Sequence, residues 1–132
     1  MKNRNNKKRI LQFLLVIFII ALCPVISFAA VRPTSDFYVN DYADVLTEET
    51  ESYILNVAEQ LAAETTAQVC VLTVDTIEDA DISEYSIEIF RDWGIGDPEK
   101  ENGVLILLSV KDRELWITTG YGIEGALPDG KL

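Results

Sequence analysis

Apolar residues gather in three short runs that have the length of β-strands. The first covers residues 67–74, and the other two cover residues 104–110 and 115–119. The run at 104–110 is almost continuously apolar, which is typical of a strand that is buried on both faces. A polar turn over residues 111–114 separates it from the last run. This arrangement predicts a β-hairpin.

Two other stretches carry apolar residues at three- and four-residue steps, which predicts amphipathic helices. The first helix covers residues 48–64, with Thr47 as its N-cap and three glutamates in its first turn, where the helix dipole favours negative charge. The second begins after Asp81, which is placed to cap it, and ends near Gly94, which can act as a C-terminal cap. Residues 39–46 mix apolar residues with Asn and Asp and predict turns.

The order strand, helix, strand over residues 67–110 predicts a parallel crossover unit, to which the hairpin adds an antiparallel strand. We therefore expect an α/β fold, with a three- to four-stranded mixed sheet and helices packed on it. A last helix is expected to begin near Glu124 or Pro128, and the sequence ends at Leu132. We accordingly expect the C-terminal helix to be truncated and the domain to be incomplete at that end.

The start of the chain has the pattern of a targeting segment. Basic residues come first, an apolar stretch over residues 10–22 follows, and small residues close the segment. This order predicts a secretory signal peptide over residues 1–29, with an uncleaved N-terminal membrane anchor as the alternative. A linker over residues 30–35 and one domain over residues 36–132 would follow. We expect the domain to be exported, to the cell membrane or its extracellular face.

The charge of the chain is unevenly distributed. The leader holds five of the eleven basic residues and no acidic residue, so the remainder carries six basic and 22 acidic residues, a net charge of −16. Such a domain repels nucleic acid and anionic lipid headgroups, and we expect no nucleic-acid partner. It attracts cations, and weak oxygen-lined calcium sites fill outside the cytoplasm. The alternative is that the carboxylates form a solvated acidic surface.

Carboxylates are the main chemical groups that the chain offers. Histidine is absent, which excludes Ser-His-Asp and Cys-His catalysis and histidine-ligated zinc. Cys70 lies in an apolar run and is interpreted as a small buried residue. The candidate ligands for a weakly bound calcium ion are Asp41, Asp97, Glu124 and Asp129. Ordinary helix caps and turn residues are the alternative explanation for each of them.

Four motifs occur in one order and at close spacing. They are Trp93-Gly94-Ile95-Gly96, Asn102-Gly103-Val104-Leu105, Lys111-Asp112-Arg113 and Gly120-Tyr121-Gly122-Ile123-Glu124. Together they resemble the TPM domain family, over about residues 36–129. That family includes thylakoid-lumen acid phosphatases, photosystem II repair proteins and bacterial membrane-associated proteins. The resemblance implies the α/β fold expected above, and it implies calcium binding, complex assembly or phosphatase activity as functions.

Two functions of different classes are therefore open. The one that we favour is a calcium-binding interaction module that helps to assemble or maintain membrane complexes, with membrane proteins as partners. The alternative is a metal-assisted acid phosphatase that acts on phosphate monoesters. In that case backbone amides at Gly120 and Gly122 would cradle the phosphate, and Arg113 would hold it. The negative charge and the absence of a histidine base favour the first function.

Overall fold

The computed structural model describes residues 31–126 and, before them, Gln12. The elements are β1 (Val39–Asp41), α1 (Glu48–Thr65), β2 (Gln68–Val74), α2 (Ile82–Asp92), β3 (Gly103–Ser109), β4 (Glu114–Thr119) and a short 3-10 helix (Tyr121–Ile123). The expected α/β class with a mixed sheet is confirmed. No helix within the described residues is long and apolar enough to span a bilayer. The expected leader lies outside the described residues apart from Gln12, and so does the start of the last helix expected at Pro128. At the alternative start near Glu124, residues 124–126 form a turn after the 3-10 helix.

The four strands lie across the sheet in sequence order. β1, β2 and β3 run parallel, whereas β4 pairs antiparallel with β3. The three parallel strands therefore finish at one end of the sheet, next to the β3–β4 turn. We call this the carboxyl end. β4 returns to the start of β3, so that Gly120 lies beside Gly103 at the opposite end, which we call the amino end.

β1 is the element that the sequence pattern does not predict. Turns are expected over residues 39–46, because Asn and Asp are depleted in strands. In the structure, three residues from this stretch pair with β2. Asn40 is fully buried. Its side-chain Nδ2 donates a hydrogen bond of 2.8 Å to the Phe37 carbonyl oxygen, and its Oδ1 accepts one of 2.7 Å from the backbone amide of Thr34. The side chain is thus satisfied, and β-pairing outweighs the local preference of the sequence.

The helices begin and end where the capping residues predict. Thr47 accepts a hydrogen bond from the Thr50 amide at the start of α1. Asp81 accepts bonds from the amides of the second and third residues of α2. After α2, Gly94 takes a positive φ of 61°. A helix that stops by passing through the left-handed region favours glycine at this position.

The core lies between α2 and one face of the sheet. Cys70 and Leu72 of β2 and Leu105 and Leu107 of β3 are fully buried, and Ile89 of α2 packs against them. Burying a side chain such as leucine contributes roughly 1.5–3 kcal/mol relative to leaving it in water. This packing holds α2 over β3 and β4. As a result, the loop after α2 is brought to the amino end of the sheet.

Candidate functional site

Asp41 lies at the carboxyl end, where its carboxylate holds the turn that follows β1. It accepts hydrogen bonds from the amides of Val45 (3.2 Å) and Leu46 (2.8 Å) and from the hydroxyl of Thr73. Partial burial works to raise the pKa of Asp41, but these hydrogen bonds outweigh it and the pKa lies below its ordinary value. The oxygens that calcium would need are already engaged by the protein.

Asp112, at the same end, has a structural role that the acidic pattern alone does not single out. Its carboxylate accepts from the Ser109 hydroxyl (2.6 Å), the Ile77 amide (2.8 Å) and the Thr76 hydroxyl. The Ser109 bond, followed by the Ile77 bond, lowers the pKa of Asp112. The residue therefore ties the β3–β4 turn to the loop before α2. Its membership in the Lys111-Asp112-Arg113 motif is the only sequence signal for this role.

The structure divides the predicted calcium ligands between the two ends of the sheet. Asp97 and Glu124 lie at the amino end, and Asp41 lies at the carboxyl end. Seven-residue strands separate the ends by about 20 Å, so Asp41 cannot share an ion with Asp97. Asp129 lies outside the described residues. Within the described part of the chain, no group of three or more acidic or cysteine side chains is close enough to hold a metal.

Glycines build the amino end by letting three backbone segments approach one another. A Cβ on Gly103 would overlap the Ile95 carbonyl, and one on Gly120 would overlap the carbonyl oxygen of Glu101. A Cβ on Gly122 would likewise overlap the carbonyl oxygen of Lys100. Only glycine permits this spacing, because any side chain would displace the neighbouring backbone. Close packing of the backbone therefore explains why glycine occurs at these positions of the motifs.

The same packing uses the amides that the phosphatase hypothesis needs. The Gly120 amide donates to the Gly103 carbonyl, and the Gly122 amide donates to the Glu101 carbonyl, each at 2.9 Å. Arg113 lies in the β3–β4 turn, at the carboxyl end of the sheet. The three residues expected to bind phosphate are therefore not brought together, and the two amides point at the protein's own backbone.

A cleft of about 590 Å³ opens at the amino end, between α2, the loop after it and the end of β4. Its size falls in the range of ligand-binding clefts. Its lining is mixed: Ile87, Phe90 and Ile95 are apolar, Asp97 and Glu101 are acidic, Arg91 is basic and Tyr121 is aromatic. Tyr121 is 76% exposed, so its ring is accessible at the mouth of the cleft.

The loop that carries Asp97 into this cleft is firmly held. Asp97 Oδ1 accepts from the amides of Glu99 (2.9 Å) and Lys100 (3.0 Å), and its own amide donates to the side chain of Asn102 (2.9 Å). The Gly96 amide donates 2.8 Å to the side chain of Gln68. Within the described residues no donor reaches Asp97 Oδ2. One carboxylate oxygen is therefore free to meet a ligand from a fixed position.

Cys70 is not available for chemistry. It is fully buried in the core between β2 and α2, and burial raises its pKa to about 12. A thiol with this pKa is almost entirely protonated at neutral pH and is a poor nucleophile. The interpretation of Cys70 as a small buried residue agrees with this environment.

Three parallel strands, one antiparallel strand and glycine-packed loops at the amino end define a mixed α/β domain. The TPM domain family matches residues 39–132, and the chain belongs to that family. No curated protein matches the sequence.

Two solved structures resemble the fold. The N-terminal domain of a P. gingivalis protein is 31% identical, with a TM-score of 0.65. The N-terminal domain of the cg2496 protein from Corynebacterium glutamicum is 15% identical, with a TM-score of 0.56, and supports the fold alone. Each match covers 71% of this chain and 60% of the other, so the chain spans less than two thirds of these domains.

Proposed function

We propose that this TPM-domain protein is exported, stays associated with the outer face of the cell membrane and acts as an interaction module for membrane proteins. The observation that carries the proposal is the cleft at the amino end. It combines apolar walls, two carboxylates and the exposed ring of Tyr121. Interfaces are enriched in aromatic side chains, which supply contact area at a low cost in side-chain entropy.

The charge of the domain supports a protein partner with basic segments. Residues 31–132 carry six basic and 22 acidic residues. A net negative surface accelerates association with basic segments and slows association with phosphate esters. The cleft, with two acidic side chains against one basic side chain, and its apolar walls fit such a segment better than they fit a phosphorylated substrate.

Calcium belongs to this proposal as a weak supporting ion at the amino end. Asp97 offers one oxygen, Oδ2, and Glu124 lies at the same end, whereas Asp129 lies outside the described residues. The described residues alone do not form a complete oxygen cage, since they contain no cluster of three acidic side chains. We therefore expect only the weak affinity that is typical of extracellular modules.

The phosphatase alternative gains no specific support at this site. The amides of Gly120 and Gly122 are engaged with backbone carbonyls, and Cys70 is buried. Phosphoryl transfer depends on donors that are free to meet the developing charge. Turnover of phosphate esters is the result that would replace the proposed function.

The calcium part of the proposal is tested by titrating the full chain with calcium and following its amide resonances. We expect a dissociation constant of about 0.1–1 mM, with shifts confined to residues 97–101 and 121–124. Asp97→Asn should weaken binding at least about fivefold, because it removes the charge beside the cleft. Asp75→Asn is the matched control, since Asp75 is an exposed carboxylate at the opposite end. Equal effects of the two variants would remove Asp97 from the site.

A further inference from the structure

The outer edge of β4 adjoins the cleft, and within the described residues its outward backbone groups make no backbone hydrogen bond. We propose that this edge accepts an extended segment of a partner protein as an added antiparallel strand. The segment alternates apolar side chains with lysine, arginine or threonine. This inference rests on the proposed role as an interaction module and names how and what the module binds. Strand addition is a common mode of peptide recognition, because main-chain hydrogen bonds supply affinity and side chains supply selection.

The register of β4 fixes which backbone groups are free. The Gly120 amide bonds to the Gly103 carbonyl, which makes these two residues a hydrogen-bonded pair. In an antiparallel ladder such pairs alternate with pairs that are not bonded to each other. Counting back along the register, Glu114, Trp116 and Thr118 bond to β3. The N–H and C=O groups of Leu115, Ile117 and Thr119 therefore point outward, away from the sheet.

Nothing within the described residues covers this edge. No described backbone group bonds to the outward amides or carbonyls of β4. The opposite edge of the sheet differs, since the hydroxyl of Thr34 donates to the Val39 carbonyl of β1 at 3.0 Å. β4 also lacks the proline or lysine residues with which proteins protect an exposed edge. An edge of six residues that is left open in this way is a template for another strand.

The side chains on β4 select an apolar segment. Leu115 and Trp116 point to opposite faces of the sheet and are 57% and 42% exposed. Ile87 of α2, 43% exposed, lies on the Trp116 face near the end of β4. An added strand that alternates in this way would place its apolar residues beside Leu115 on one face and its basic or threonine residues on the Trp116 face, toward the cleft. The apolar residues would cover surface of Leu115 that is now in contact with water.

Charge and position select basic residues in the same segment. Thr118 and Thr119 of β4 also line the cleft, so a strand that follows β4 continues directly into it. There it meets the carboxylates of Asp97 and Glu101. The domain as a whole has six basic and 22 acidic residues, which disfavours an acidic segment or a second copy of this chain. An extended basic segment from a different protein is the occupant that these features fit.

The direct test is amide hydrogen exchange on the full chain, in the presence of a chelator, with a synthetic peptide as probe. The peptide has about nine residues that alternate valine with lysine or threonine, which is enough to span β4. We expect exchange to slow about tenfold or more at Leu115, Ile117 and Thr119, with little change at the three residues already bonded to β3. A peptide with glutamate in place of lysine should bind at least about tenfold more weakly.

Two substitutions at Leu115 distinguish the contribution of its backbone N–H to binding from that of its side chain. Leu115→Pro removes an outward N–H without breaking a bond to β3, and it should weaken binding about tenfold or more. Leu115→Ala removes most of the same side chain but keeps the N–H, and it should weaken binding no more than about threefold. If the proline variant does not fold, the slower exchange expected at Leu115, Ile117 and Thr119 of the unaltered chain still tests the inference.

Three outcomes would overturn the inference. Protection that is uniform along β4, or absent from it, shows that no strand is added. Equal binding of the basic and acidic peptides removes the stated chemistry of the partner. Dimerisation of the chain that Leu115→Pro abolishes, measured by sedimentation, assigns the edge to a second copy. Because the chelator removes calcium, this test does not depend on the calcium proposal. Peptide binding in the cleft without protection of β4 would contradict strand addition and would leave the proposed interaction module in place.

Discussion

At the scale of single residues, the aspartates of this domain have different roles according to what surrounds them. Asp81 and Asp112 each accept several hydrogen bonds from amides and hydroxyls, and the pKa of each lies below its ordinary value. Sequence alone identifies Asp81, because its partners follow it directly. It does not identify Asp112, whose partners Thr76 and Ile77 lie about 35 positions away in the chain.

The hydrogen-bonded aspartates should make the fold sensitive to acid. For Asp41 and Asp112 the folded pKa lies below the unfolded value of about 3.9, so their contribution is complete above that value and is lost as the pH falls through the folded pKa. We expect the melting temperature to fall between about pH 5 and pH 2 in circular dichroism. Asp112→Asn should melt lower at pH 7 and show a shallower acid dependence. Asp79→Asn, an exposed control, should follow the original curve.

At the scale of elements, hydrophobic periodicity predicts the long elements well. The helix expected over residues 48–64 is found at Glu48–Thr65, and the hairpin strands match within one or two residues. β1 is missed because three residues are too few for a pattern. The site is only partly predictable. The glycine motifs indicate its loops, and the predicted crossover places Asp97 before β3. Because β1 is not predicted, nothing in the pattern places Asp41 at the opposite end of the sheet.

The close approach of the glycine loops gives a sharp prediction for stability. Gly122→Ala should lower the free energy of unfolding by about 2 kcal/mol or more, because its Cβ would overlap the carbonyl oxygen of Lys100. Gly125→Ala is the control, since nothing lies within 4 Å of a Cβ there. Urea unfolding of the two variants provides the comparison. If they unfold at the same urea concentration, the loops do not pack as described.

The contact between α2 and β4 gives a second prediction at this scale. The hydroxyls of Ser86 and Thr118 lie 2.7 Å apart, and Ser86 is fully buried. Ser86→Ala should cost about 1–2 kcal/mol of stability, because it leaves the other hydroxyl without its partner. The double variant Ser86→Ala/Thr118→Val should lose less stability than the sum of the losses in the two single variants. Strictly additive costs in urea unfolding would show that the hydroxyls do not interact in solution.

At the scale of the whole molecule, the acidic domain and the basic leader predict the compartment. We expect expression in a bacterium to place the domain outside the cytoplasm, since the leader combines basic, apolar and small residues in the order of a signal peptide. Cell fractionation followed by N-terminal sequencing measures both location and cleavage. A new N-terminus near Ala30 indicates cleavage, and an intact one in the membrane fraction indicates an anchor. Recovery of the intact chain free in the cytosol would rule out export.

We propose that this TPM domain binds partners and does not turn over phosphate esters, and an activity assay is the direct test. Hydrolysis of a phosphate monoester would be measured from acid to neutral pH, with and without calcium, for the full chain and for Asp97→Asn. We predict that neither protein exceeds the rate of a mock purification, since the amides of Gly120 and Gly122 are engaged within the fold. Turnover that disappears in a folded Asp97→Asn protein would contradict this proposal and identify an enzyme.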